Sequence, residues 1–213
     1  MIKAIFWDND GVLVDTERLY FQATQETLES VGVSLNQEHY IEFFLRQGRG
    51  AWHLLEERGV GAAEVERLRH RRNDLYSELL QREACAIDGV AGTLEYLHGK
   101  YVMGIVTSSR RDHFDIIHGR CNLLQHFDFV LTAADFKRVK PHPDPYLLAI
   151  ERAGFDPADC IAVEDSERGL QAAMLAGLRC IVIPTPLTAG GNFAGAERVI
   201  DRVAELPDIL EDL

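Results

Sequence analysis

Apolar positions along the chain fall into two textures. Residues Ile2 to Trp7 form a short apolar run that stops abruptly in an acidic, glycine-containing loop, Asp8-Asn-Asp-Gly-Val-Leu-Val-Asp15. From about Thr16 to Glu83 the apolar residues recur at helical spacing. Leu19, Ala23, Leu28 and Val31 predict a first helix with Gly32 as its stop. Asn36 is placed to cap a second helix that carries Tyr40, Phe43 and Phe44 and ends at Gly48. A third is predicted from Ala51 to Arg58, and a long charged one from Ala62 to Arg82 presents Val65, Leu68, Leu75, Leu79 and Leu80. Polar surroundings and charge pairs four residues apart suit a small helical bundle with solvated outer faces.

From Ile87 onward short apolar runs alternate with helical patterns. Strands are predicted at Val102–Val106, Phe129–Thr132, Ile161–Val163, Cys180–Ile183 and, less apolar, Arg198–Ile200. Helices are predicted at Ala91–His98, Arg111–Arg120, Pro145–Ala153, Glu167–Ala176 and Val203–Leu210. Strands and helices alternating at this spacing make right-handed βαβ units and a parallel sheet covered on both faces. The first strand most simply joins that sheet. The expected fold is therefore α/β, a Rossmann-like parallel-sheet core formed by residues 1–15 and 85–213, with an inserted α-helical domain at 16–84.

Length agrees, since 213 residues exceed one domain of ~150 residues by about the size of such an insertion. Charge narrows the partners. Twenty-two Lys+Arg against 34 Asp+Glu give a net −12, which repels nucleic acid and anionic membranes. The basic stretch Arg67, Arg69, His70, Arg71, Arg72 is interleaved with acids and reads as a solvated helix face. A protein this acidic can still act on a small phosphate if positive charge, or a metal ion, is concentrated at one site. The four cysteines form no C-x-x-C pair and read as reduced thiols, with Cys160 and Cys180 inside strands. The first apolar run meets acids at once, unlike a signal peptide, and no stretch of ~18 apolar residues is present. A soluble, cytoplasmic protein is expected, as a monomer or weak homodimer.

In doubly wound sheets ligands bind at the carboxyl ends of the strands. Those ends here carry Asp8 and Asp10; Thr107-Ser108-Ser109; a segment reaching Lys140-Pro141; and Glu164-Asp165-Ser166. Singly, each has an ordinary explanation: acids as turn formers, hydroxyls as helix caps, the lysine as a solvated side chain. Jointly they do not. Three or four carboxylates at one sheet edge call for a hard divalent cation, and an oxygen-rich set suits Mg²⁺. A cation, a lysine, hydroxyls and helix-start N–H groups are what a phosphoryl group requires.

The series Asp8-Asn-Asp10-Gly-Val-Leu-Val-Asp, Val-Thr107-Ser-Ser, Lys140-Pro-His-Pro-Asp144-Pro-Tyr and Glu164-Asp165-Ser-Glu-Arg-Gly169-Leu-Gln-Ala-Ala-Met-Leu-Ala-Gly177 resembles the haloacid dehalogenase superfamily, in its phosphatase and β-phosphoglucomutase-like branch with a helical cap after the first motif. The resemblance covers essentially the whole chain, in the family's motif order. It implies a Mg²⁺-dependent phosphatase of a small phosphorylated metabolite, with sugar phosphates as candidates. Asp8 would be the nucleophile that becomes an aspartyl phosphate, and Asp10 the general acid and then base, with a pKa above that of Asp8. Thr107 and Ser108 would hold phosphoryl oxygens and Lys140 would neutralise charge. Mg²⁺ would be bound by Asp8, the backbone carbonyl of Asp10, Asp165 and Glu164, the last directly or through water. Asn9 would contribute only its backbone.

Relatives that cleave carbon–halogen bonds lack an aspartate at the Asp10 position, so the resemblance favours phosphoryl transfer. Mutase-like relatives carry a histidine early in the first cap helix and an arginine just beyond a glycine like Gly48; this chain has Tyr20 and Ala51 at those places. Hydrolysis is favoured over mutase activity, and the intact Asp8, Asp10, Lys140 and Asp165 set over a catalytically idle binding relative. Gly48 and Arg49, in a helix break, are candidates for substrate specificity; Phe44 and Trp52 read as core of the cap.

Overall fold

The structure, a computed structural model, describes all residues 1–213. In chain order, β1 (Ala4–Trp7) precedes α1 (Glu17–Glu29), α2 (Gln37–Tyr40), α3 (His53–Glu56) and α4 (Ala62–Glu83). Then follow α5 (Val90–Leu97), β2 (Val102–Val106), α6 (Arg111–Cys121), β3 (Phe129–Leu131), α7 (Asp144–Ala153), β4 (Cys160–Glu164), α8 (Glu167–Leu175), β5 (Arg179–Val182), β6 (Arg198–Val199) and α9 (Leu206–Glu211). The chain divides into two compact units, Met1–Asp15 with Cys85–Leu213, and Thr16–Ala84.

The α/β unit is built on a six-stranded sheet in the order β3-β2-β1-β4-β5-β6, with every neighbouring pair parallel. All four residues of β1 are buried. A central parallel strand covered on both faces cannot alternate apolar with polar residues, which is why Ile2 to Trp7 reads as a continuous apolar run. Phe6 and Cys160, Ala162 and Cys180 share one core with Leu131, Tyr146, Leu170 and Val182; truncating Phe6 to Ala would cost about 3–5 kcal/mol. Register sets up the site: Trp7 lies opposite both Ile105 and Val163. The strands therefore end level, and the residues that follow them emerge at one edge.

The helical unit has its own core, including Leu28, Leu35, Tyr40, Trp52, Leu55 and Leu68. Asn36 caps α2 as expected, its side chain accepting from the His39 N–H at 2.8 Å. The helix that follows is not the single α-helix the spacing predicts. After Tyr40 it widens into a π-helical segment, Ile41–Arg46, in which the Gln47 N–H reaches Glu42 O at 3.0 Å. Tyr40 stacks on Phe44 (4.7 Å) and His39 on Phe43 (5.5 Å). Gly48 and Gly50 then adopt positive φ (65° and 74°), and the N–H groups of Arg49 and Gly50 both fold back onto the Phe43 carbonyl. That reversal consumes residues the pattern assigned to α3, which is only His53–Glu56. No helix is long and apolar enough to cross a membrane.

Candidate active site

Asp8 follows β1, its N–H paired with the Val163 carbonyl of β4 at 2.9 Å. Glu164 ends β4 and Asp165 comes next. Carboxylate oxygens of Asp8, Glu164 and Asp165 lie within 4.8 Å of one another, and all three residues are buried. Lys140, only 5% exposed, comes from the segment after β3. Its Nζ donates to Asp8 Oδ1 (2.9 Å) and to the Val106 carbonyl (2.7 Å), and forms an ion pair with Glu164 Oε1 (2.6 Å). The lysine is thus not a solvated side chain. Ser108 Oγ accepts from the Lys140 N–H at 3.3 Å, and Arg168 donates to the Lys140 carbonyl, so the lysine's backbone is fixed on both sides.

Three buried acids against one ammonium leave an excess of negative charge, and the acidities register it. Burial, then the neighbouring Glu164, push Asp8 up to about 8, with Lys140 opposing. Burial works against the charge of Lys140, but Asp8 and Glu164 outweigh it and hold its pKa well above the ordinary value. Burial and Glu164 thus work against the Asp8 anion, and a cation beside it would favour that anion. The donor set fits one. Hard carboxylate oxygens at this spacing suit Mg²⁺, and the loop backbone closes against them at Gly11. There φ is +84° and a β-carbon would stand 2.5 Å from Asp165 Oδ2, so only glycine is accommodated.

Asp10 Oδ2 accepts from Ser109 Oγ (2.5 Å), Thr107 Oγ1 (3.2 Å) and Asn9 Nδ2 (3.3 Å). The hydroxyls after β2 are not helix caps, since the residue at the start of α6 is Arg110 and caps through no side chain. Ser166, by contrast, does cap α8, accepting from Gly169 N–H at 3.2 Å. Asn9 corrects a sequence expectation. Its carbonyl does take the Leu13 and Val14 N–H groups, but its side chain is fully buried and also bonded, with Oδ1 2.7 Å from His118 Nε2. Burial pushes His118 down to about 4, against a smaller opposing effect of Asp10.

His118 lies outside the motif pattern, whereas Ser109 and Tyr146 lie inside it with no role assigned from sequence. Tyr146, in the first turn of α7, donates its hydroxyl to Glu164 Oε1 at 2.5 Å. Only the sequence Lys140-Pro-His-Pro-Asp-Pro-Tyr146 hinted that the tyrosine travels with the lysine. In the helical unit Arg49 lies over the Phe43 ring at 5.0 Å, and Gly48 makes the preceding turn. Arg67 and Arg69 pair with Glu64 and Glu66 on the solvated face, but Arg72 departs from that face. It is buried over the Tyr20 ring (4.4 Å) and near Trp52 (5.5 Å). Its Nε donates to Asn73, while Nη1 is buried without a hydrogen-bond partner.

Comparison with known proteins identifies the family. The sequence model of the haloacid dehalogenase-like hydrolases matches residues 5–183. The chain is 32% identical to the protein CbbY of Cereibacter sphaeroides, over 97% of this chain and 94% of that protein. It is 30% identical to a phosphorylated carbohydrates phosphatase of Thermotoga maritima, over 84% of each. Crystal structures of CbbY from Rhodobacter sphaeroides, one in complex with phosphate and one of a mutant with xylulose-(1,5)bisphosphate, superpose with TM-scores of 0.80 at 28% identity, covering 97% of this chain and 96% of theirs. With its parallel sheet and the acidic edge at the ends of β1 and β4, the chain belongs to the haloacid dehalogenase-like hydrolases.

Proposed function

We propose that this hydrolase is a Mg²⁺-dependent phosphatase of a small phosphorylated metabolite, acting through an aspartyl phosphate on Asp8. The observation that carries the reading is the separation of two aspartates two residues apart into different surroundings. Asp8 sits among Lys140, Glu164 and Asp165, whereas Asp10 sits among hydroxyls and an amide. Two carboxylates in unlike environments are what a nucleophile and an acid–base catalyst require.

In the first half-reaction an Asp8 oxygen attacks phosphorus and the bond from phosphorus to the ester oxygen breaks, with Asp10 giving its proton to the departing alcohol. In the second, water attacks the phosphorus, Asp10 takes the water's proton, and the bond to Asp8 breaks to release phosphate. Lys140 opposes protonation of Asp8, orients it and offsets charge on the phosphoryl oxygens, with Thr107 and Ser108 as hydrogen-bond donors to them. Asp8, the Asp10 carbonyl, Asp165 and Glu164 would hold Mg²⁺, which supplies charge stabilisation at the phosphoryl group. The helical unit, residues 16–84, would serve as the cap that supplies specificity, with Gly48 and Arg49 as candidates and Arg72 added to them.

A phosphorylated sugar is the favoured substrate class, supported by the similarity to a phosphatase of phosphorylated carbohydrates and to a protein crystallised with a sugar bisphosphate. Tyr20 and Ala51, in place of the histidine and arginine of mutase-like relatives, favour water as acceptor. The test is phosphate release from an aryl phosphate and from a panel of sugar phosphates with Mg²⁺. Activity should vanish on chelation and in Asp8→Asn; equal turnover by Asp8→Asn would refute the nucleophile. Conversion of a hexose 1-phosphate to the 6-phosphate, in the presence of a trace of the bisphosphate, would replace hydrolysis by mutase activity.

A further inference from the structure

We propose that Asn9 and His118 form a positioning pair for Asp10, in which His118 fixes the orientation of the Asn9 carboxamide and the carboxamide holds the Asp10 carboxyl for proton exchange. The inference rests on the reading of Asp10 as acid and base given above. It begins with a difference among the three donors on Asp10 Oδ2. The hydroxyls of Thr107 and Ser109 can rotate to donate or accept, whereas the amide nitrogen of Asn9 can only donate. Asn9 therefore holds Oδ2 as an acceptor and fixes the orientation in which the carboxyl group exchanges a proton with substrate or water.

An amide can do this only if it does not flip. Its oxygen and nitrogen ends have nearly the same shape, and rotating the group by half a turn would set Oδ1 against the Asp10 oxygen. His118 distinguishes the two ends. With its proton on Nε2 it donates to Asn9 Oδ1 at 2.7 Å; a flipped amide would force that proton onto Nδ1, which is buried with no acceptor. The backbone of Asn9 is already tied by the Leu13 and Val14 N–H groups, so side-chain rotation is the remaining freedom, and His118 removes it.

The placement of His118 is difficult to explain by packing. It comes from α6, is buried against Phe114 with ring centroids 4.3 Å apart, and leaves Nδ1 buried without a hydrogen-bond partner. An apolar side chain would fill the same space without that unmet group. The bond to Asn9 is what the imidazole gains there.

The experiment separates the two half-reactions under single-turnover conditions, with enzyme in excess over 4-nitrophenyl phosphate and Mg²⁺ present. Nitrophenol release reports attack by Asp8 and needs little help from Asp10, because the leaving group departs readily; phosphate release reports hydrolysis of the aspartyl phosphate and needs Asp10 as base. In Asn9→Leu and in His118→Phe, nitrophenol release should stay within about twofold of the parent while phosphate release slows by about tenfold or more. His118→Gln, whose amide can still donate to Asn9, should recover most of the loss. If one of the two variants does not fold, the other decides. Proportional slowing of both steps, or slowing of neither, overturns the proposal. Absence of any phosphate release by the parent protein would instead refute the phosphatase reading itself.

Discussion

The carboxylate of Glu164 occupies the space in which a β-carbon on residue 169 would stand: that atom would lie 1.8 Å from Oε2 and 2.0 Å from Cδ. Gly169 is an ordinary helical glycine by its backbone, so the requirement comes from the acid beneath it. Gly169→Ala should therefore force Glu164 off its contacts with Lys140 and Tyr146. Stability is expected to fall by about 3 kcal/mol, the upper range for inserting an atom into a packed interior, and Mg²⁺ to be needed at higher concentration for half-maximal activity. Urea unfolding and a Mg²⁺ titration of activity check both; an unchanged Mg²⁺ requirement would show that Glu164 takes no part in holding the cation.

Lys140 stands between Asp8 and Glu164, and Lys140→Met would leave two buried acids without their ammonium. Breaking a buried pair in this way costs about 3–5 kcal/mol, reduced where a carboxylate takes up a proton instead. Because Asp8 is already pushed up to about 8 by burial and Glu164, the variant should be less stable at neutral and higher pH than at mildly acidic pH. Added Mg²⁺ should raise its melting temperature more than that of the parent protein. Equal shifts in the two proteins would mean that the acids do not recruit the ion.

His118 gives a pH dependence of definite sign. Its pKa in the folded protein is about 4, against an ordinary 6.5. As pH falls through 6.5 an unfolded chain takes up the proton before the native state does, so this residue's contribution is complete above about pH 6.5 and is lost progressively toward pH 4. Between pH 7 and 4.5 the parent should lose about 2 kcal/mol more than His118→Gln. Parallel stability curves would rule out a neutral, buried imidazole. Asp10 and Asp115 are the acids that oppose the shift, and they are retained in both proteins.

Arg72 presents a stability cost with a functional reading. Its Nη1 is buried without a partner, a situation worth about 1–3 kcal/mol against folding. Arg72→Met keeps the stem that packs beside Tyr20 and Trp52 and removes the charge. The variant should unfold at higher urea than the parent, while KM for an anionic substrate rises and kcat changes less. A higher urea midpoint with unaltered KM would leave Arg72 as a cost to folding with no part in substrate binding.

Much of the site was legible because the strands of a parallel sheet deliver their following residues to one edge. Asp8, Thr107 and Glu164-Asp165 could be collected simply by reading what comes after each apolar run, and the register of Trp7 with Ile105 and Val163 bears this out. What the pattern lacks is side-chain direction. Asn9 lies between two catalytic candidates, so its own side chain invited no reading; only its approach to His118, from a helix following another strand, gives it one. Arg72 belongs to a basic run whose neighbours are solvated, and helical spacing alone does not reveal which arginine turns inward. The π-helical segment at Ile41–Arg46 escaped for a related reason, because a 3.6-residue period assumes the regular winding that this segment abandons.

The central place of β1 bears on how the chain is made. Ala4 pairs with Val102 on one side and Cys160 on the other, so β1 is flanked by strands synthesised much later. At ~5–20 residues per second, Ile2 to Trp7 would wait roughly 8 to 30 seconds for the whole of β4 to appear. Residues 16–84 need no such delay, because their apolar side chains close on one another. Nascent chains should thus carry a folded helical segment beside a hydrophobic β1 still without its partner strands, an attractive site for a chaperone and a point of aggregation when synthesis stalls.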